Sequence, residues 1–233
     1  MQDRKMLLHF LHSLHPCNLA ITEDCKESKT MSALTVYPDN QPRLPRMAEV
    51  SQSVGNRCDQ LGETFIDFSA IQAQLNAIGV QFERWTASCE LAADADQDTV
   101  LAAYSDSIDR LKQQYGFQSV DVISLNPDHP EKAAFRQKFL AEHIHADFEA
   151  RFFIEGRGLF YLHVADKVYA VLCEQGDLIS VPANTTHWFD MGDNPKFKCI
   201  RLFTTPDGWV ADFTGSDISK SFPTLDQYVA ELS

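Results

Sequence analysis

A chain of 233 residues with 33 acidic and 20 basic side chains carries a formal net charge of −13 and is long enough for one sizeable domain with additions. That excess of negative charge disfavours nucleic acid and anionic membrane surfaces as partners, and no run approaches the ~20 apolar residues of a transmembrane helix. The cysteines Cys17, Cys25, Cys58, Cys89, Cys173 and Cys199 are scattered without a C-x-x-C pair, so they are expected as free thiols in a reducing, cytoplasmic compartment.

Residues 1–30 hold a short Leu-rich run interrupted by His9, His12 and His15, and no small-x-small cleavage site follows. They are expected to be a disordered upstream extension. Residues 31–68 are expected to form an irregular N-terminal segment, because 35–67 is rich in Pro, Ser, Asn and Gly and has no clear period. Residues 69–233 are expected to fold. Ile71, Leu75 and Ile78 recur at helical spacing before Gly79 and predict a short helix capped by Ser69; 80–85 alternates as a strand. One longer helix is predicted over 97–115, with Val100, Leu101, Tyr104, Ile108 and Leu111 on one face and Gly116 past its end. A strand follows over 120–125, after which Asp128 and Pro130 open a helix carrying Phe135, Phe139 and Leu140.

From there the pattern is strands and turns only, at 150–155, 159–164, 168–173, 178–181, 197–203 and 209–213. Many short antiparallel strands at near-even spacing imply a mainly β jelly-roll barrel with a few flanking α-helices. A barrel of this size holds a compact ligand in its mouth.

The stretch leading into those strands carries His143, His145, Glu149 and Gly156 in the pattern H-x-H-x3-E-x6-G. Two histidines two apart on a strand share a face, so both imidazoles reach one cation. Glu149 comes within reach if the chain turns or bulges after His145. A fourth ligand is offered by G-x5-P-x4-H, with Gly176, Pro182 and His187, where a strand ends at a Pro-containing turn that returns a histidine toward the first pair. Nitrogen and carboxylate oxygen suit divalent iron, nickel, manganese or zinc, and the lack of cysteine argues against a structural zinc site. His129 and His163 lie outside this pattern and are expected to be ordinary packed or surface histidines.

These paired motifs resemble those of the cupin barrel. The stretches EHIHADFEARFFIEGRGLFYLHV, DKVYAVLCEQGDLISVPANTTHWFDMG and the tail around Arg201, Gly208 and Trp209 resemble one cupin family in particular, the acireductone dioxygenases of methionine salvage. Gln137, Asn184 and Met191 depart from the generic cupin pattern, but none is a ligand position, and Asn tolerates positive φ in turns. The resemblance implies a ligand set of His143, His145, Glu149 and His187 holding one Fe2+ or Ni2+ per monomer. It implies dioxygen and the acireductone 1,2-dihydroxy-3-keto-5-methylthiopentene as substrates. The products would be 4-methylthio-2-oxobutanoate and formate with iron, or methylthiopropionate, formate and carbon monoxide with nickel. An octahedral metal with four protein ligands would keep two positions for a chelating substrate.

Around the ligands, Arg151 is expected on the strand face of Glu149, holding that carboxylate or a substrate oxygen, and Arg201 is expected to point into the barrel as a second cation for an anionic substrate. Phe139, Phe189 and Trp209 are the expected apolar wall for the methylthio tail. Asp147 is a candidate acceptor for orienting an imidazole. Two other readings of the same barrel are a different cupin dioxygenase or isomerase and a non-catalytic metal-binding sensor. A sensor of that kind normally carries a helix-turn-helix, which the N-terminal region lacks. A monomer is expected.

Overall fold

The computed structural model describes residues 31–40, 62–92 and 94–233; the expectations for residues 1–30 fall outside them. The architecture is mainly antiparallel β, and one long strand organises it. Strand β6 (Glu149–Val164) runs through 16 residues where a break between two strands is expected. Gly156 explains the continuity: its φ of +69° lets the chain bend, and an added Cβ there would overlap the Lys196 carbonyl. The bend sends each half of β6 into a different sheet.

The first half pairs with β8 (Asp177–Val181) and β10 (Phe197–Phe203), and these pair in turn with β3 (Gln81–Arg84) and β4 (Ser119–Leu125). The second half pairs with β7 (Lys167–Glu174) and β9 (Thr186–Asp190). That sheet continues from β7 to β1 (Ala33–Pro38) and β2 (Glu63–Phe65), and from β9 to β5 (His143–Ile144) and β11 (Asp212–Phe213). The two sheets close on an interior that includes Phe153, Phe160, Leu162, Val171, Ile179, Phe189 and Phe197. This is the jelly-roll expected from strand spacing.

Both faces of the sheets are covered, which is why Ala150 to Ile154 is buried throughout. Outside the first sheet lie α2 (Gln97–Ala103) and α3 (Ser105–Tyr115), which bring Val100, Tyr104, Ile108 and Leu111 against Phe152, Ile154 and Ile200. Outside the second lies α5 (Leu225–Leu232), which brings Leu225 and Tyr228 against Tyr161, Trp188 and Leu172. A capping box between Thr224 and Gln227 starts α5. Two further helices are α1 (Phe68–Asn76) and α4 (Lys132–Leu140).

Several expectations need correction. Residues 33–38 are strand β1, hydrogen-bonded to β7 and β2 inside the segment expected to be irregular. Its Leu, Thr, Val and Tyr favour a pleated, covered position, a signal diluted by the polar residues that follow. Asp67 caps α1, not Ser69: its carboxylate accepts the Ala70 N–H at 2.9 Å, and Ser69 donates to the same oxygen. The helix expected over 97–115 breaks at Tyr104 (φ −110°, ψ 17°), whose ring seats against Phe152 with centroids 5.7 Å apart. Residues 209–211 are not strand, and the C-terminal end is helical at α5, preceded by a 3-10 turn over Ile218–Ser221. Cys173 and Cys199 are free and buried, but Cys89 is disulfide-bonded, because spacing along the chain does not tell which thiols meet in space. Among the described residues no helix is long and apolar enough to cross a membrane.

Candidate metal centre

Strand pairing assembles the site. His143 lies directly across from His187 in the β5–β9 ladder, and Leu162 flanks His187 on the other side. His145 follows β5, where its backbone carbonyl accepts from Asn184 N at 2.8 Å; Asn184 holds the left-handed turn conformation (φ 61°) that the departure from glycine must supply. The chain then bends at Ala146 and Asp147 and enters β6 at Glu149. This bend is the turn that the sequence required for Glu149 to join the histidines.

The candidate ligand nitrogens of His143, His145 and His187 all lie within 4.8 Å of one another, and all three rings are buried. Each Nδ1 faces a backbone carbonyl: Ala141 at 2.8 Å, Val210 at 2.9 Å and Thr185 at 2.7 Å. With Nδ1–H donating, each Nε2 keeps its lone pair. Glu149 Oε2 stands 3.6 Å from His187 Nε2 and 3.9 Å from His145 Nε2. Its other oxygen, Oε1, accepts from Arg151 Nε at 2.7 Å.

Electrostatics favours the metal-binding protonation states. Burial pushes the His143 pKa down to about 4 and that of His187 to about 3, so both rings are neutral near pH 7. For Glu149 burial acts upward, but Arg151 and the imidazoles of His187 and His145 outweigh it and bring the pKa to about 2. Glu149 Oε2 and His187 Nε2 are buried with no hydrogen-bond partner. Burying two such acceptors unpaired is costly, and a divalent cation among them removes the cost. The donor set of imidazole nitrogen and carboxylate oxygen therefore fits a metal.

The surrounding residues divide. Arg151 lies on the Glu149 face as expected, its guanidinium 5.0 Å from the Phe160 ring centroid and 5.4 Å from that of Phe189. Arg201 pairs across the ladder with Arg151 and so shares the inward face. Its charge, however, is committed to Asp121, with bonds of 2.8 and 2.6 Å. Phe189 is buried in the interior with Phe139 packed edge-on at 6.1 Å. Trp209, in contrast, is 50% exposed on the loop after β10 and is not buried with them. Asp147 reaches no imidazole; it accepts from Phe148 N, Thr204 Oγ1, and the N–H and hydroxyl of Thr205. His163 bonds Glu142 at 2.9 Å, away from the cluster.

Three aromatics escaped sequence reasoning. Phe160 stacks on His187 at 5.4 Å, Phe203 meets His145 edge-on at 5.6 Å, and Phe213 lies 5.7 Å from His143. The alternation through Gly158, Phe160 and Leu162, and through Cys199, Arg201 and Phe203, places the first two on inward faces, a signal available in the sequence.

The sequence model of the ARD/ARD' family matches residues 51–211. The chain is 56% identical over 199 residues to the acireductone dioxygenase of Methylococcus capsulatus, covering 85% of this chain and 98% of that one. It is 55% identical over 170 residues to that of Aquifex aeolicus, covering 73% and 93%. Its fold is similar to that of the Bacillus anthracis acireductone dioxygenase with a cadmium ion in its active centre, with a TM-score of 0.63 and 28% identity over 78% of this chain and 98% of that one. With the metal-type site and the barrel already in place, these likenesses settle the assignment: the chain belongs to the acireductone dioxygenase family.

Proposed function

We propose that this enzyme cleaves 1,2-dihydroxy-3-keto-5-methylthiopentene with dioxygen, and that His143, His145, Glu149 and His187 hold the divalent metal the reaction needs. With iron the products are formate and 4-methylthio-2-oxobutanoate; with nickel they are formate, carbon monoxide and methylthiopropionate. The observation that carries this reading is the convergence of three buried imidazoles with a carboxylate oxygen that has no other partner. When bound, the metal supplies Lewis acidity that favours the enediolate form of the substrate.

The chain's own residues bind and orient. Backbone carbonyls at Ala141, Val210 and Thr185 hold each imidazole in one tautomer. Arg151 orients Glu149 through Nε, and its remaining N–H donors are assigned to an enediolate oxygen. Arg201, neutralised by Asp121, contributes to that wall as a fixed ion pair more than as a free cation. Phe139 and Phe189 are assigned to the methylthio tail. Burial keeps water from the reacting groups and strengthens each polar contact. In the iron reaction a carbon–carbon bond breaks and each fragment gains one oxygen atom from dioxygen, so no further oxidant or reductant is needed. The same reading has a monomeric, cytoplasmic enzyme with one metal per chain.

Iron-loaded protein is expected to consume dioxygen in step with synthetic acireductone, and His187→Ala is expected to lose both iron and rate. A His187→Ala protein with stoichiometric iron and full rate removes His187 from the ligand set. Wild-type turnover no faster than autoxidation of the substrate overturns the reading.

A further inference from the structure

Residues 204–211 form a loop between β10 and β11 whose two ends are tied to the segment that carries the first two histidines. At the far end Thr214 N donates to the Glu142 carbonyl at 3.1 Å, and Thr214 Oγ1 donates to Glu142 Oε2 at 2.6 Å. At the near end the Asp147 carboxylate accepts Thr204 Oγ1, Thr205 N at 2.7 Å and Thr205 Oγ1 at 3.0 Å. Gly208 packs so closely on that carboxylate that an added Cβ would overlap Asp147 Oδ2 and come within 2.7 Å of Phe203 Cβ. Turn hydrogen bonds from Gly208 N to Thr205 O (3.3 Å) and from Val210 N to Asp207 O (3.0 Å) carry this constraint to Val210. The Val210 carbonyl is the acceptor for His145 Nδ1 at 2.9 Å.

We propose that Asp147 is a positioning residue for the metal site: by folding the loop 204–210 it places the Val210 carbonyl that fixes the tautomer and direction of His145. His143 and His187 each find their carbonyl two residues away in their own segment, at Ala141 and Thr185. His145 alone among the three takes its acceptor from a loop 65 residues distant. A loop that far along the chain is held by its own contacts, and Asp147, two residues from His145, supplies those at its near end. The inference rests on His145 being a ligand.

The test is nickel titration of the metal-free protein against a chromophoric chelator, with nickel alone as the probe. Loss of an outer hydrogen-bond partner of a ligand costs about 10- to 100-fold in metal affinity, and that loss is expected for Asp147→Asn and, independently, for Gly208→Ala. The NMR signal of the His145 Nδ1–H should exchange faster in both while those of His143 and His187 persist. Asp177→Asn, in the Ser32–Arg84 network at the other end of the first sheet, should lower the melting temperature and leave nickel affinity unchanged. Folded Asp147→Asn and Gly208→Ala proteins with wild-type nickel affinity overturn the proposal. If Asp147→Asn does not fold, Thr205→Val, which removes one hydroxyl donor, decides with Gly208→Ala in the same two directions. His145→Ala separates the two levels: wild-type nickel affinity there sinks the ligand assignment, whereas loss there with no loss in Asp147→Asn sinks only the positioning role.

Discussion

Arg151 Nε donates to Glu149 Oε1 at 2.7 Å, and the opposite oxygen of the same carboxylate, Oε2, is the one turned to His187 Nε2 at 3.6 Å. One guanidinium thus neutralises a buried anion and sets which of its oxygens faces the histidines. Lysine, a point charge without the planar fork, supplies the first effect and not the second.

Removing Arg151 should therefore cost the metal-free protein more than the loaded one. Arg151→Met leaves the Glu149 carboxylate buried without compensation, a loss of about 3–5 kcal/mol, part of which a bound divalent cation restores. Denaturant titrations of the two forms check this; equal losses in both would show that the pair is not coupled to the metal position.

Metal-free protein should weaken in mild acid. The folded pKa values of His143 (about 4) and His187 (about 3) lie below the ordinary 6.5, so the neutral rings contribute stability that is fully present above pH 6.5. As pH falls below that value the unfolded chain takes up protons that the fold does not, and stability drops until the folded pKa values are reached. Glu149, lowered to about 2 from 4.5, acts with the same sign at lower pH. Melting temperatures measured from pH 8 to pH 3 should decline below about pH 6.5. A flat profile between pH 7 and pH 5 contradicts this electrostatic picture.

Phe189 and Trp209 should part company in stability. Phe189 is buried among Phe153, Phe160 and Phe197, so Phe189→Ala should cost about 3–5 kcal/mol. Trp209, half exposed, should change stability by no more than about 0.5 kcal/mol when replaced by Ala. A change in KM for Trp209→Ala without a change in melting would assign the indole to substrate at the rim; a large stability loss would show that it packs.

Metal identity should select the products. Three imidazoles and a carboxylate accept iron and nickel alike, and intrinsic affinity rises from iron to nickel, so stripped and refilled protein should give keto acid and formate with iron and carbon monoxide with nickel. Rapid nickel turnover without carbon monoxide in the gas phase would mean that the pocket around Arg151 and Phe189 enforces one mode of chelation.

How much of this was legible in the sequence follows from where each signal lives. The histidine pair shows because a period of two puts His143 and His145 together, and Arg151 shows because it stands two residues from Glu149 on the same face. The barrel shows in its strand spacing, although β6 reads as two strands because Gly156 signals a break and serves as a bend. Strand β1 is hidden by the polar stretch after it, and the break at Tyr104 depends on a tertiary contact with Phe152. Arg201 reads as a free inward cation because nothing local announces that Asp121 lies opposite it in the β4–β10 ladder. The role of the 204–210 loop is carried by the Val210 carbonyl, a backbone group that every residue has and no side-chain pattern marks.

The central claim is that this chain directs both atoms of dioxygen into the two fragments of an acireductone, and isotope labelling tests it most directly. Iron-loaded protein turning over synthetic acireductone under 18O2 should place one labelled oxygen in formate and one in the carboxylate of 4-methylthio-2-oxobutanoate. Label recovered in hydrogen peroxide, with none in the carbon products, would show dioxygen acting only as an electron acceptor and would contradict the account.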